Sequence, residues 1–448
     1  MPALTASLVA GVVGGRLVGG DAEASSVVAD SREAAAGVAF AAIGGGGAFV
    51  HEAFDRGAPF AIATTAGPGP TVVTDDVVGA LMRLAAHVRT TLDVPVIGIT
   101  GSTGKTLTRD FVAASLSTVR TVHRSPKNYN NEIGVPLTLL ATPPDAQMLV
   151  IELGARHVGE VAELCDIARP KTGIITGIGT AHIDEFGSRE GIARAKAELL
   201  VALPADGLAV IPSNDDYLDL LQASTDARVV TVGPGGHVRY RAERIAADGR
   251  TFGTVTIGSD VLDVILPVPG RAMLRNAAFA VAVAVSHGAD PQAAAAAIAR
   301  SELTSWRMEI VEIGGRTIVN DAYNANPTSM AEALRVAREL AGRRPAWAVL
   351  GQMAELGETT EAEHLRAGRL ARALRLDGVI VLGAEAAEAK GIAEGAGSLA
   401  LQVGSLAEAV DAIGERVPSD AVVIVKASRV AGLERLVPLL RSATAQVG

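Results

Sequence analysis

Short, nearly continuous apolar runs recur along the chain, and helical stretches separate them. Four such runs are VIGIT (96–100), MLVIEL (148–153), TGIITGIG (172–179) and LAVIPS (208–213). Runs of this kind are typical of parallel strands buried on both faces of a sheet. The segment 188–203 between the last two has the composition of a helix. The pattern predicts an α/β fold with a mostly parallel sheet.

A second series of apolar runs comes late in the chain, as RTIVND (316–321), AWAVLG (346–351), GVIVLG (378–383) and AVVIVKAS (421–428). It predicts a separate, doubly wound domain of Rossmann-like type. The chain begins with short apolar runs and Gly-rich turns, which predict a small α/β unit. A length of 448 residues suits about three domains. We expect their limits at 1–87, 88–304 and 305–448.

Charge and cysteine content exclude several classes of protein. The net charge of -9 argues against a nucleic-acid-binding surface, which needs a basic stripe. The single cysteine, Cys165, excludes an internal disulfide and a multi-cysteine zinc site, and we expect it to be buried on an apolar helix face. The first apolar run has no basic segment before it, and Arg16 interrupts it before membrane length. These features predict a cytoplasmic protein without a membrane span.

The loop GSTGKT (101–106) follows the first strand of the central series. Glycines here would let backbone amides surround phosphate oxygens, while Lys105 reaches the β and γ phosphates and Thr106 contacts Mg²⁺. The usual motif has its first glycine at the position that Ile99 occupies. A plain Gly-rich turn is the alternative, but a strand before the loop and a helix after it favour ATP or GTP binding.

Polar residues stand at the ends of two predicted strands. Glu152 lies at the carboxyl end of the strand MLVIEL and His182 follows TGIITGIG, at the sheet edge where doubly wound folds bind ligands. The alternatives are a capping or solvated glutamate and a structural histidine. Lys196 lies in a predicted helix, and its spacing indicates only an ordinary solvated lysine.

Two further segments are rich in Asn. Asn128, Asn130 and Asn131 suit a loop that presents hydrogen bonds to a polar ligand, although a plain turn is slightly favoured. The segment NDAYNANPTSM (320–330) follows a strand of the last series. It fits a ribose or base contact as well as it fits helix capping.

Several of these motifs recur together in one known family. In this order, TGSTGKT, NYNNEIGVPLTLL, IELGARHVGE, IARPKTGIITGIGTAHIDEFGS, AKAE, WRMEI and DAYNANPTSM resemble the Mur ligases. Within them, the resemblance is to the branch that joins D-alanyl-D-alanine to a UDP-muramoyl tripeptide. It implies an N-terminal UDP-sugar-binding domain, a central ATPase domain and a C-terminal Rossmann-like ligase domain. It also implies ATP-driven phosphorylation of a carboxylate, and then attack by an amine on the acyl phosphate.

The resemblance assigns roles residue by residue. Catalysis and the binding of two magnesium ions fall to Lys105, Thr106, Glu152, His182 and Lys196, the last as a carbamate. Nucleotide contacts fall to Gly101, Ser102, Thr103, Gly104, Lys105, Thr106, Asn276, Arg307, Asp321, Tyr323, Asn324 and Asn326. Substrate contacts fall to Ser31, Arg32, Asn128, Asn130, Asn131, Lys426, Ser428 and Arg429. The implied partners are the two small substrates, with no nucleic acid, and a monomer is expected.

The chain departs from the family pattern mainly in parts that hold substrates. Gln352, Ala427 and Arg156 replace an Asp, a Gly and an Asn of that pattern, whereas the catalytic set is intact. One alternative is therefore a ligase of the same fold that joins another carboxylate and amine. A second alternative is a non-catalytic nucleotide-binding protein.

Overall fold

The computed structural model describes residues 3–383 and 387–445. Its strands form three large sheets and one two-stranded ribbon, β1–β3. The strands up to residue 73 are β1 (Leu4–Thr5), β2 (Arg16–Val18), β3 (Glu23–Ala24), β4 (Ser26–Val28), β5 (Val38–Ala41), β6 (Ala61–Ala63) and β7 (Thr71–Val73). The helices of this part are α1 (Ala6–Val13), α2 (Val50–Asp55) and α3 (Val77–Thr91). The first sheet has the order β2-β7-β6-β5-β4, with only β2 antiparallel.

The central sheet begins at residue 96. Its strands are β8 (Val96–Thr100), β9 (Val122–Arg124), β10 (Met148–Glu152), β11 (Thr172–Ile175), β12 (Leu208–Pro212), β13 (Arg228–Val232), β14 (Val238–Ile245), β15 (Thr251–Ile257) and β16 (Asp260–Leu266). The helices of this part are α4 (Lys105–Leu116), α5 (Gly134–Leu140), α6 (Glu160–Ala168), α7 (Ile183–Phe186), α8 (Arg189–Val201), α9 (Leu218–Ala223), α10 (Leu274–Ser286) and α11 (Pro291–Ile298). The strand order is β16-β15-β14-β13-β12-β11-β8-β10-β9.

All four predicted runs of the central series are strands, and β8, β10, β11 and β12 are buried throughout. They are parallel, as predicted. The sheet also contains an antiparallel extension, β14–β16, that we did not predict. Buried residues largely alternate with partly buried or exposed ones in β15 and β16, as in strands with one solvated face. An alternation of this kind in the sequence could have predicted these antiparallel strands.

The third sheet contains β17 (Glu309–Ile313), β18 (Arg316–Asn320), β19 (Ala346–Leu350), β20 (Gly378–Leu382), β21 (Ala400–Val403) and β22 (Val422–Lys426). Its helices are α12 (Pro327–Ala341), α13 (Thr360–Ala373), α14 (Ala387–Ala396), α15 (Leu406–Arg416) and α16 (Leu436–Ala445). The order is β17-β18-β22-β19-β20-β21, and only β17 is antiparallel. The α/β class with mostly parallel sheets is thus confirmed.

The predicted domain limits stay predictions. Residue 87 lies within α3, and residue 304 lies between α11 and β17. Helix α10 is buried along most of its length, from Asn276 to Ala284, because it packs against α4, α11 and β14.

In the described ranges, no helix combines the length and the apolar character needed to cross a bilayer.

Candidate active site

The Gly-rich loop joins β8 to α4, and two of its glycines have left-handed backbones. The φ angles are 138° at Gly101 and 79° at Gly104. A Cβ atom on Gly101 would lie 2.1 Å from Thr176 Oγ1, and one on Gly104 would lie 2.9 Å from Asn276 Oδ1. Side chains are therefore excluded at both positions, and the loop backbone borders the space in front of α4.

Hydrogen bonds hold this loop in a defined shape. Gly179 N donates to Ser102 Oγ at 2.8 Å, and Thr176 Oγ1 donates to Thr103 O at 2.6 Å. The Lys105 ammonium donates to Gly101 O at 2.7 Å. The first turn of α4 has no side-chain cap, so its backbone amides and the positive end of the helix dipole remain available to an anion.

Glu152 is buried at the end of β10, with 1 % of its surface exposed. Its carboxylate accepts hydrogen bonds from Thr106 Oγ1 and Asn130 Nδ2, both at 2.8 Å. Burial acts to raise the pKa of Glu152, but Arg109, Lys105 and Arg307 together hold that pKa below its ordinary value. A capping or solvated glutamate is therefore the wrong interpretation, and this residue is a buried anion beside the loop.

Lys196 lies on the face of α8 that turns inward, with 3 % of its surface exposed. Its ammonium lies 3.3 Å from Ala155 O and 5.2 Å from the centre of the Phe186 ring. Burial, assisted by repulsion from Lys105, lowers the pKa of Lys196 to about 7. The prediction of a solvated lysine is therefore wrong, because spacing within one helix does not reveal what covers it.

His182 precedes α7 and adopts a left-handed backbone with φ 59°. Its Nδ1 atom lies 2.5 Å from Glu355 Oε2, and Arg156 pairs with the other oxygen of Glu355 at 3.6 Å. Burial lowers the pKa of His182, and Glu355 opposes that shift. The loop after β11 thus meets the loop after β19.

Side chains from the third sheet form the opposite wall. Asp321 accepts a hydrogen bond from Met308 N at 3.2 Å and pairs with Lys426, which also donates to Asn324 O at 2.8 Å. Asn326 caps α12 through a reciprocal pair of hydrogen bonds with Ser329, so helix capping is one of its roles. The Arg307 guanidinium lies 4.1 Å from the centre of the Tyr323 ring.

One cavity of about 640 Å³ collects most of the predicted site residues. Its lining includes Gly101, Ser102, Thr103, Gly104, Lys105, Thr106, Asn128, Asn130, Asn131, Glu152, His182, Lys196, Asn276, Arg307, Asp321, Tyr323, Asn324, Asn326, Lys426 and Arg429. The structure therefore brings together residues from two sheets that are far apart in the chain.

Three predicted residues do not line this cavity. Ser31 donates to Glu52 Oε2 at 3.0 Å, and Arg32 pairs with Asp30 on the surface. Ser428 is buried and donates to Gln352 O at 2.8 Å. A second, smaller cavity of about 270 Å³ has Asp30 on its wall, together with Asn128 and Asn131 from the larger one.

The sequence analysis did not identify several lining or supporting residues, among them four charged groups. Arg275, Glu332 and Glu355 line the cavity, and Arg109 lies behind Glu152. The LGQMAELG stretch, which contains Glu355, could have pointed to this residue from the sequence. Arg109 follows Lys105 by one helical turn, which offered another. The remaining two lie within helices, where sequence spacing does not distinguish them.

The donor set fits magnesium better than a metal held by protein alone. Within residues 3–383 and 387–445, no group of three or more His, Cys, Asp or Glu side chains could hold a metal ion. Mg²⁺ is commonly bound by one or two oxygen ligands of the protein together with phosphate oxygens and water. The Thr106 hydroxyl and the Glu152 carboxylate, adjacent at the end of the phosphate-type loop, match that requirement.

Comparisons with known proteins agree with this geometry. The sequence profile of the Mur ligase middle domain matches residues 99–284, and that of the Mur ligase glutamate ligase domain matches residues 306–429. A Bacillus subtilis (strain 168) protein named UDP-N-acetylmuramoyl-tripeptide--D-alanyl-D-alanine ligase is 35% identical over 346 residues, which cover 75% of this chain and 74% of the relative.

Solved structures extend the similarity to nearly the whole chain. A crystal structure of MurF from Acinetobacter baumannii superimposes with a TM-score of 0.86 at 28% identity, covering 99% of both chains. The MurF ligase of Thermotoga maritima in complex with ADP gives a TM-score of 0.81 at 27% identity, covering 94% of this chain and 98% of the other. Because the two profiles and these relatives agree over most of its length, the chain belongs to the Mur ligase family.

Proposed function

We propose that this protein is an ATP-dependent, ADP-forming amide ligase that adds D-alanyl-D-alanine to UDP-N-acetylmuramoyl tripeptide in peptidoglycan precursor synthesis. One observation carries the chemistry: a phosphate-type loop, the Thr106–Glu152 pair and buried Lys196 share one cavity with residues of the third sheet. The similarity to ligases that carry this name supports the choice of substrates.

The reaction needs a carboxylate to become an electrophile. The terminal phosphoryl group of ATP is transferred to the tripeptide carboxylate, which releases ADP and gives an acyl phosphate. The amine of D-alanyl-D-alanine then attacks the carbonyl carbon, loses a proton and expels phosphate, which leaves an amide. Cationic side chains must offset the charge of the anions brought together, and Lys105 is the cation on the loop itself.

We assign magnesium binding to Thr106 and Glu152, and to His182 and Lys196 at a second position. Bound Mg²⁺ would neutralise phosphate charge and polarise the transferred group. Lys105 would hold the γ-phosphate. The protein's own contribution is to keep Glu152 ionised in a buried place, which the nearby cations do by lowering its pKa.

Lys196 is the residue that we propose to be carbamylated. A pKa of about 7 leaves much of this amine neutral at neutral pH. A neutral amine can attack the carbon of CO₂, form an N–C bond and release one proton, so that the uncharged amine becomes an anion. The change would also remove the repulsion between Lys196 and Lys105 that the two free ammonium groups have.

We assign roles to the remaining site residues from their positions in the structure. We propose that the nucleotide contacts Gly101–Thr106, and that residues of α10 and the third sheet complete its site, namely Asn276, Arg307, Asp321, Tyr323, Asn324 and Asn326. The Asn-rich loop (Asn128, Asn130, Asn131) and Ser31 with Arg32 would bind the UDP-muramoyl substrate. Lys426, Ser428 and Arg429 would serve the incoming dipeptide.

The organisation follows from these assignments. We propose a UDP-sugar-binding domain at 1–87, an ATP-binding domain at 88–304 and a ligase domain at 305–448. The protein would act in the cytoplasm as a monomer.

The decisive experiment measures phosphate release from ATP with UDP-muramoyl tripeptide plus D-alanyl-D-alanine. We expect turnover only when both substrates are present, with one ADP formed per amide. Turnover with a different acid and amine alone would support the paralogue that joins other substrates. Absence of ATP turnover with every pair would support a non-catalytic nucleotide-binding protein.

The carbamate has its own test. Lys196→Ala should lose at least about 100-fold in activity, and a short carboxylic acid should restore part of it by supplying the missing anion. Bicarbonate should not restore the alanine variant, because it has no amine to modify. Unimpaired activity of the variant would refute the carbamate.

A further inference from the structure

Arg109 is a buried cation to which the proposed chemistry assigns no role beyond lowering the pKa of Glu152. It lies on α4, one helical turn after Lys105, and only 1 % of its surface is exposed. Burial of a guanidinium is unfavourable unless its donors find partners. The hydrogen-bond and ion-pair partners of Arg109 therefore show which parts of the structure it connects.

The guanidinium contacts four different parts of the chain. Its Nε and Nη2 donate to Asp110 Oδ1 at 2.9 and 2.7 Å, and Nη1 donates to Lys127 O at 2.7 Å. Nη2 also donates to Thr304 Oγ1 at 2.5 Å, and Nη1 lies 3.7 Å from Glu152 Oε2. A single rigid fork thus connects the nucleotide-loop helix with the Asn-rich loop, with Glu152 and with the segment before β17.

Asp110 reinforces the connection to Thr304. Its Oδ2 accepts hydrogen bonds from Thr304 N at 2.9 Å and from Thr304 Oγ1 at 3.1 Å. Arg124, on β9, pairs with the other oxygen. Thr304 is therefore held through both its backbone and its side chain.

Thr304 lies close in sequence to residues that form the cavity wall. Trp306 and Arg307 follow two and three residues later, and Arg307 lines the cavity beside Tyr323. The Trp306 ring lies 4.9 Å from the guanidinium of Arg429, which also lines the cavity. A shift of Thr304 relative to α4 would displace this wall from the nucleotide loop.

We propose that Arg109 is a positioning residue that links the nucleotide loop and Glu152 to the segment 304–307, so that nucleotide binding changes the surroundings of Trp306. The proposal rests on the proposed nucleotide site but not on the identity of the acyl donor or the amine. Lysine cannot replace Arg109, because one ammonium cannot make the forked set of contacts.

Trp306 provides the readout, since the chain has only one other tryptophan, Trp347. In a Trp347→Phe background, Mg²⁺ with ADP is titrated while the emission of Trp306 is followed, and the affinity is measured by calorimetry. We expect a nucleotide-dependent change of emission. In Arg109→Lys we expect the affinity to fall by roughly tenfold and the emission change to be lost.

Thr304→Val separates positioning from support of the nucleotide site. It removes the hydroxyl but leaves Arg109 beside Glu152 and Asp110, so ADP affinity should stay within about threefold while the emission change is reduced. Arg89→Lys is the matched control, because Arg89 also donates to backbone carbonyls, at Ala168 and Leu92, and neither of these partners lines the cavity. It should match the background protein in both measurements.

The outcomes distinguish the two proposals. If the background protein binds no ADP, the proposed function fails. If it binds ADP without a change in Trp306 emission, or if both variants retain the full change, the positioning role of Arg109 is refuted.

Discussion

His182 Nδ1 lies 2.5 Å from Glu355 Oε2, and this contact between two residues of the cavity lining joins the loop after β11 to the loop after β19. The carboxylate opposes the effect of burial on the pKa of His182. A carboxylate this close favours the protonated form of the imidazole through its charge.

Glu355→Gln should therefore lower the pKa of His182 further below its ordinary value of 6.5. Below pH 6.5 the unfolded state then binds more protons at this histidine than the folded state does, so acidification lowers stability. This loss of stability should be greater in the variant than in the parent protein. Ligase activity should fall by roughly 10- to 100-fold. Histidine NMR titration measures the pKa, and exposed Glu358→Gln in the same loop is the control. An unchanged His182 titration would contradict the contact.

Lys196→Met should make the protein more stable while removing its activity. The folded pKa of about 7 lies below the ordinary 10.5, so the unfolded state binds more protons between these values and stability rises with pH. The methionine variant avoids this cost, worth roughly 4 kcal/mol at pH 7, and its advantage should shrink towards pH 10.

Urea unfolding in CO₂-free buffer at several pH values measures this difference. Lys171→Met, at an exposed lysine, is the matched control and should change little. A methionine variant that is less stable than the parent at pH 7 would show that Lys196 is well accommodated as a cation.

Gly101→Ala should weaken nucleotide binding. Its Cβ would lie 2.1 Å from Thr176 Oγ1 at a φ of 138°, so the loop must move to accept it. Strain of about 1–3 kcal/mol corresponds to a loss of roughly tenfold or more in ADP affinity, measured by calorimetry. Gly414→Ala on α15 has open space around it and should raise stability slightly without affecting affinity.

Glu152→Gln should raise the Mg²⁺ concentration needed for activity by roughly 10- to 100-fold. It should also destabilise the nucleotide-free protein by roughly 3 kcal/mol, because Arg109 and Lys105 lose a buried counter-charge. Magnesium titrations of the initial rate and thermal unfolding test both effects. Glu163→Gln provides the control, since Glu163 is an exposed glutamate of the same cavity lining. Equal magnesium dependence in the two variants would refute the assignment.

Sequence reasoning succeeded where one segment determines both the structure and its local chemistry. The Gly-rich loop could be recognised because its strand, its turn and its helix are contiguous in the chain. The end of β10 pointed to Glu152 for the same reason, since an acid ends a run of apolar strand residues.

Sequence reasoning failed where the surroundings of a residue are formed by other helices, strands or loops. Lys196 is made unusual by Phe186 and Lys105, and neither follows from the spacing of α8. Arg109 and Glu355 matter through partners far along the chain, such as Thr304 and His182. Contacts of that kind are fixed by packing between sheets, which a single sequence does not encode in a short pattern.

Cys165 lies buried in α6, as the sequence predicted, and burial raises the pKa of its thiol to about 12. A thiol of this kind has almost no reactive thiolate at neutral pH. The natural chain is thus already a suitable host for maleimide dyes at cysteines introduced on the surface. A dye pair placed on α9 and α15 would report the distance between the second and third sheets during turnover, without removal of the native cysteine.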